Sequence, residues 1–242
     1  MKFAVIAAGE GSRLVQEGVE MPKPLVRICG EPLIDRLLRV FMDCGATSVA
    51  VICNGKMPEV EAHLVDIKTN GFDGFCVPLD VVVRTTPSSM HSFHELAPLL
   101  AGGPFCLTTV DTIFLKEEFA NYIDTLRQEL DNGYDGVMGV TAYVDDEKPL
   151  YVGTDKEGVV SGFYDEPHQC RLVSGGIYGL APVALEVLQR CVDKGMSRMR
   201  NFQRAMVAEG LRLKTYEFGK VLDIDHASDI AKAEAFMEGT AL

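Results

Sequence analysis

The strongest constraint on how this chain can fold is an alternation in its first half. Short runs rich in apolar and β-branched residues fall at Lys2–Ala8, Ser48–Cys53, Asp80–Arg84 and Phe105–Thr109. Between and after them, Pro32–Cys44, Pro58–Lys68, Met90–Leu100 and Lys116–Leu130 carry apolar residues at helical spacing. Strands that are apolar on both sides need helices on both faces, so the pattern predicts βαβ units and a mostly parallel sheet. Pro32 suits the first turn of its helix, and Gly45 stands where a left-handed C-terminal cap would end it.

From Gly136 the texture changes. Val137–Ala142, Leu150–Thr154, Val159–Phe163 and Arg171–Leu180 read as strands of a mixed or antiparallel sheet, with Lys156-Glu157-Gly158 as a hairpin turn. Helices are expected at Val183–Asp193, Met199–Glu209 and Ala227–Met237, and a strand near Leu213–Phe218. With 242 residues, no internal repeat and no linker, one α/β domain over residues 1–242 is the economical organisation.

Charge narrows the partners. Acidic residues outnumber basic ones 35 to 23, a formal charge of −12, which excludes a broad phosphate-tracking surface for nucleic acid. A phosphorylated ligand must therefore be met locally, by a few cations and a metal held between carboxylates. Seven cysteines without a C-x-x-C pair read as buried reduced thiols of a reducing compartment. The apolar run Phe3–Ala8 is too short for the core of a signal peptide, and no run reaches membrane-spanning length. The expected location is the cytoplasm, with no membrane partner.

The first strand runs straight into Ala7-Ala8-Gly9-Glu10-Gly11-Ser12-Arg13-Leu14, followed by Pro22-Lys23-Pro24-Leu25. Glycines 9 and 11 let the backbone approach a ligand and turn its N–H groups inward as a nest for anionic oxygens. Ala7, Ala8, Gly9, Gly11 and Ser12 are the candidate nucleotide-binding residues, and Arg13 and Lys23 the candidate catalytic cations. Leu14 stands where a dinucleotide fingerprint needs glycine, and no Gly-Lys-Ser/Thr is present, so neither of those phosphate motifs fits. The alternative for the glycines is a plain strand-to-helix turn. Prolines on both sides of Lys23 stiffen its approach and lower the entropy lost on gripping a phosphate.

Taken with Gly30-Glu31-Pro32-Leu33-Ile34, these segments resemble the nucleotidyltransferases that activate sugar 1-phosphates, and their relatives acting on phosphocholine and polyol phosphates. Weaker echoes occur at Asp111, Ser161–Pro167, Gly175-Gly176-Ile177-Tyr178 and Asp223–Asp229. The resemblance implies a Rossmann-like GT-A fold: a mostly parallel central sheet flanked by helices, with a smaller mixed-sheet acceptor-binding portion. Residues 1–135 would mainly bind the nucleotide and residues 136–242 the acceptor. It also implies Mg²⁺ and transfer of a nucleoside monophosphate from a triphosphate to a small phosphorylated acceptor, with release of pyrophosphate. A cytidylyltransferase for phosphocholine or a polyol phosphate, and a nucleotide-binding regulator without turnover, are the alternatives. No left-handed β-helix extension follows the domain, so regulation through one is not expected.

Asp111 follows an apolar strand, at the end where open α/β sheets bind ligands. By resemblance it is a metal ligand, Asp223 the second, and Asp225 close behind. The competing reading for each is a helix or turn cap, with Asp225 or Asp229 capping the last helix. Val110 departs from the glycine usual beside this aspartate. Ser88 and Ser89 lie where the family reads the nucleobase, one of them expected to cap the helix starting at Met90. His91 and His94 lack zinc-protease spacing and read as solvated. On the acceptor side, Gly175 and Gly176 match sugar-contacting glycines, with a β-bulge as the alternative. The family's Glu-Lys-Pro is here Asp165-Glu166-Pro167, without its cation. Lys148, Arg171 or Lys220 would replace it, or Asp165 and Glu166 would meet a cationic acceptor such as choline.

Overall fold

In the computed structural model of the protein, which describes residues 1–74 and 76–239, β1 (Lys2–Ala7) shows why a doubly covered sheet forms. Phe3, Val5 and Ala7 enter one hydrophobic cluster while Ala4 and Ile6 enter another, the two-residue period of a strand with both faces dry. Along the chain follow α1 (Ser12–Gln16), a 3-10 turn at Lys23–Leu25, β2 (Arg27–Ile28), β3 (Glu31–Pro32), α2 (Leu33–Asp43), β4 (Ser48–Cys53) and α3 (Pro58–Asn70). Then come β5 (Leu79–Val83), α4 (Ser89–Leu100), β6 (Phe105–Thr109), β7 (Thr112–Ile113) and α5 (Lys116–Asp131). The second half contributes β8 (Gly136–Thr141), β9 (Tyr151–Thr154), β10 (Val160–Tyr164) and β11 (Leu172–Leu180). It closes with α6 (Val183–Asp193), α7 (Met199–Ala208), β12 (Leu213–Phe218), β13 (Leu222–Asp223) and α8 (Ala227–Met237).

Strands β5, β4, β1 and β6 lie side by side in that order, all parallel. β11 joins β6 antiparallel, β8 pairs antiparallel with β11, and β12 runs parallel to β8. β9 and β10 extend antiparallel from the first residues of β11. Helices α2, α3 and α5 pack on one face through Leu37, Leu64 and Phe119; α4, α6 and α7 cover the other through Phe93, Leu188 and Phe202. On the first face the rings of Phe3, Phe41 and Phe119 lie 4.6–6.3 Å apart, and truncating one such buried ring costs about 3–5 kcal/mol. The buried Tyr122 hydroxyl donates to the Val137 carbonyl at 2.9 Å, so its burial leaves no polar atom stranded.

Local expectations differ from the structure in three places. Pro32 sits in β3 with extended backbone and precedes α2 rather than entering its first turn, while Gly45 has the expected positive φ of 76° just past the helix end. α4 begins one residue early, at Ser89, which moves the N-cap position to Ser88. Of the seven free cysteines only Cys53, Cys106 and Cys191 are buried; Cys29 and Cys76 are exposed because they fall in loops rather than in the apolar runs.

Candidate active site

The chain segments leaving the carboxyl ends of β1, β4, β5 and β6 meet around one cleft of ≈ 570 Å³, lined by Gly9, Asn54, Ser89 and Asp111 among others. That is the crevice where parallel sheets of this kind bind ligands. Ala8 and Gly11 also line it; Ala7 is buried at the end of β1 and Ser12 lies on the exposed side of α1, so neither side chain faces the cleft. Gly11 has a φ of 60°, and a Cβ there would lie 3.2 Å from the Lys23 Cβ. Glycine thus lets the turn fold directly against the lysine.

Lys23 projects from its 3-10 turn into the floor of the cleft and is only 9% exposed. Its Nζ donates to Asp111 Oδ2 at 2.7 Å and to Asp225 Oδ1 at 2.8 Å. Burial alone would depress the ammonium's pKa, but the Asp111 and Asp225 carboxylates outweigh it and hold it above the usual lysine range. Arg13 touches the same cluster from the other side, Nη1 to Asp225 Oδ2 at 3.0 Å and Nη2 to Glu147 Oε2 at 3.5 Å. It lines a separate chamber of ≈ 250 Å³ rather than the cleft that Lys23 lines, so the two expected catalytic cations flank Asp225 from opposite sides.

A two-residue ribbon brings the distant aspartates together. β13 pairs antiparallel with β7, setting Asp223 opposite Thr112, and the Ile224 N–H donates to the Asp111 carbonyl at 3.2 Å. The Thr112 hydroxyl donates to Asp223 Oδ1 at 3.3 Å. Asp223 is exposed and lines the clefts among the other carboxylates of the cluster. That crowding, and then the negative charges of Asp111, Asp225 and Asp146, raise its pKa well above the carboxylate norm. Among the described residues no three acidic, histidine or cysteine side chains converge as a ready-made metal cage. The capping alternative falls to Asp229, whose Oδ2 accepts from the N–H groups of His226 at 2.8 Å and Asp225 at 3.1 Å. Val110 turns a buried side chain inward, its N–H donating to the Ile6 carbonyl at 3.1 Å, and the residue still lines the cleft.

In the loop after β5, Ser88 occupies the N-cap position of α4, with its Oγ 2.9 Å from His91 Nδ1 and accepting from the Arg198 N–H at 3.2 Å. His91 is therefore partnered, and His94 pairs with Gln189 at 2.8 Å. Sequence reasoning missed Asn54. Its Oδ1 accepts from Lys56 N–H at 3.0 Å and Thr85 Oγ1 at 2.7 Å, and its Nδ2 donates to the Ala8 carbonyl at 3.0 Å. One buried amide thus ties the ends of β1, β4 and β5 together; the available signal was a polar residue flush against the apolar end of β4.

On the acceptor side a third cleft of ≈ 300 Å³ shares Ser89, Thr109 and Asp111 with the first and Asp223 and Asp225 with the chamber, so the three are contiguous. Lys148, Gly176, Arg198 and Arg200 line it, and Gly175 lines the chamber. A bulge does lie between Ser174 and Ile177 where β11 meets β8. Gly176 takes a φ of 70° there, and a Cβ would come within 3.0 Å of Thr112 Oγ1. Of the expected replacement cations, Arg171 is bound to Glu217 at 2.6 Å and Lys220 lies over the Tyr143 ring at 4.4 Å. Asp165 is not free for a cationic ligand, because Arg204 and Arg200 pair with it at 2.7 and 2.5 Å and lower its pKa. Glu166 is exposed and lines none of these clefts. Arg198 and Arg200 were not foreseen, although two arginines opening a helix in so acidic a chain stand out in the sequence.

A parallel sheet whose carboxyl ends surround a cleft with a lysine clasped between two aspartates defines an α/β protein of Rossmann-like type. The chain belongs to the MobA-like NTP transferase domain family, which it matches over residues 3–173. It is similar to the mannose-1-phosphate guanylyltransferase catalytic subunit beta of Drosophila melanogaster, 22% identical over 198 residues, covering 76% of this chain and 49% of that protein. It is also similar to the N-acetylmuramate alpha-1-phosphate uridylyltransferase of Caulobacter vibrioides, 30% identical over 112 residues, 46% of each. This chain thus spans about half the length of these relatives. Among solved structures, a UDP-glucose pyrophosphorylase from Acinetobacter baumanii superposes with a TM-score of 0.78 at 16% identity, covering 97% of this chain and 92% of that one. The inositol-1-phosphate CTP transferase from T. maritima gives 0.74 at 19%, covering 100% and 98%. These likenesses show a shared nucleotidyltransferase fold, as expected from the sequence. No described helix is long and apolar enough to cross a membrane.

Proposed function

We propose that this protein transfers a nucleoside monophosphate from a nucleoside triphosphate to the phosphate of a sugar 1-phosphate, or of a similar small phosphorylated acceptor, and releases pyrophosphate in the cytoplasm. The observation that carries the reading is Lys23, held at the junction of two contiguous clefts between Asp111 and Asp225. The names of the relatives, which act on mannose-1-phosphate and N-acetylmuramate alpha-1-phosphate, point to the same acceptor class.

In this reading residues 1–135 mainly hold the nucleotide, with the Ala7–Ser12 turn offering backbone N–H groups to the phosphates and Ser88 and Ser89 flanking the base. Asp111, Asp223 and Asp225 fit a divalent cation. They are hard oxygen donors whose crowding already raises Asp223, and Mg²⁺ takes only one or two carboxylates when phosphates complete its shell. Bound there, Mg²⁺ would neutralise charge on the triphosphate. An oxygen of the acceptor's phosphate attacks the α-phosphorus in line. As that bond forms, the bond to the bridging oxygen of the β-phosphate breaks, and pyrophosphate leaves with the electron pair. Lys23, which lines the cleft, stabilises the charge that builds on the leaving group, while Arg13 acts from the adjoining chamber through its pairing with Asp225. No protein nucleophile is needed.

Residues 136–242 mainly receive the acceptor. Lys148, Arg198 and Arg200 supply cations for its phosphate, while Gly175 and Gly176 keep the adjoining wall free of side chains. With Asp165 already neutralised by two arginines, an uncharged sugar or polyol body suits this side better than a quaternary ammonium. A pyrophosphate-release screen pairing each triphosphate with sugar 1-phosphates, polyol phosphates and phosphocholine tests the proposal. Turnover with a sugar 1-phosphate is expected; triphosphate binding by calorimetry without pyrophosphate from any pair would identify a regulator instead.

A further inference from the structure

The pairing around Lys23 implies more than a phosphate grip. We propose that Lys23 is a built-in counter-ion that closes the Asp111–Asp225 pair to a free divalent cation, so that metal binds tightly only together with a triphosphate. This rests on the nucleotidyltransferase reading and adds a binding order to it.

Three features carry it. Lys23 Nζ takes one oxygen of each carboxylate, Asp111 Oδ2 and Asp225 Oδ1, and Arg13 takes the other oxygen of Asp225. Both Asp225 oxygens are therefore capped by cations, and among the described residues no three acidic, histidine or cysteine side chains converge as a ready-made metal site. Second, the lysine is placed by its backbone: Pro22 and Pro24 bracket it, and its turn is closed by the Leu25 N–H to the Pro22 carbonyl at 2.8 Å. Third, Lys23 also lines the cleft in which the proposed triphosphate would sit, so the same side chain faces both the carboxylates and that ligand's space. A dication arriving alone meets the ammonium's charge at contact distance, beside a lysine that is itself only 9% exposed, and like charges repel there. A triphosphate arriving with its metal gives Lys23 new anionic partners and frees the Asp111 and Asp225 oxygens it holds at the same moment.

Mn²⁺ binding to the full chain, followed by electron paramagnetic resonance, tests this without turnover. Wild type is expected to bind Mn²⁺ weakly alone and at least tenfold more tightly with an α,β-methylene triphosphate. Lys23→Met should bind Mn²⁺ alone at least tenfold more tightly than wild type, and its melting temperature should rise on adding Mn²⁺ where wild type's does not. Lys23→Gln offers the same contrast if the Met variant does not fold, and Lys23→Arg should keep the exclusion. Folded Met or Gln variants that bind Mn²⁺ no better than wild type would overturn the inference, as would wild type binding Mn²⁺ equally with and without the analogue. Failure of pyrophosphate release with every substrate pair would instead remove the functional reading, and would leave the Mn²⁺ contrast intact.

Discussion

The cleft around Lys23 and the chamber beside Arg13 are joined by the third cleft, which shares Asp111 with the first and Asp223 and Asp225 with the second, yet they are built by opposite means. The cleft is mostly neutral: a glycine turn, hydroxyls of Thr85, Ser88 and Ser89, the satisfied amide of Asn54, and one buried cation. The chamber is walled by charge, and exposed ion pairs between remote segments hold it: Arg13 to Glu147 at 3.5 Å, Lys232 to Asp145 at 3.0 Å, His226 to Glu147 at 3.7 Å. Exposed pairs of this kind contribute ~0–1 kcal/mol each and weaken with salt, whereas turns and buried hydrogen bonds do not. Shape therefore sets the cleft, and electrostatics the chamber.

The largest expected effect lies where the two regions join. Asp111→Asn or Lys23→Ala should lower pyrophosphate release by about 10²–10³ or more, the scale for removing one preorganised charge-stabilising group. A wild-type rate in either purified variant would break the shared centre. Next comes the acceptor side alone. Arg200→Met removes charged hydrogen bonds of about 1.5–3 kcal/mol and should raise the acceptor's KM roughly 10- to 100-fold with little change for the triphosphate. Equal rises for both substrates would erase the division between the regions.

Gly176→Ala probes whether the acceptor wall also depends on shape. Its positive φ and the Thr112 contact predict a loss of about 1–3 kcal/mol in urea denaturation, together with weaker acceptor binding. An unchanged midpoint would remove the backbone requirement. The smallest effect lies outside both clefts, where His63 Nε2 meets Asp35 Oδ1 at 2.5 Å. That hydrogen bond outweighs partial burial and raises the His63 pKa. Because the folded value lies above the unfolded one of about 6.5, the pair's stabilisation is complete below that pH and fades as pH rises through the folded value. Denaturation midpoints should fall over that window in wild type and stay flatter in His63→Gln.

Legibility in the sequence followed the same division. The strand–helix alternation, the Gly9–Gly11 turn, Lys23 between prolines and Asp111 after β6 are local patterns, and each lines the nucleotide cleft or leads into it. Asn54 broke the rule by looking like an ordinary turn residue beyond β4. The acceptor side was harder to read because charged residues are common on any surface. Only contact decides that Arg171 spends itself on Glu217, Lys220 on an aromatic ring, and Asp165 on Arg200 and Arg204, and that Arg198, together with the Asp165-paired Arg200, lines the cleft.

By itself the sequence determined the doubly covered parallel sheet and the glycine turn after β1, because hydrophobic periodicity and glycine act over a few residues. Tertiary structure alone decided that β7 and β13 pair, that Asp223 and Asp225 therefore reach Asp111, and that Lys23 sits between two of the three. A two-residue ribbon carries almost no local signal. Its pairing is stabilised by the packing around it, and a carboxylate's role depends on which opposite charge the folded chain brings within reach.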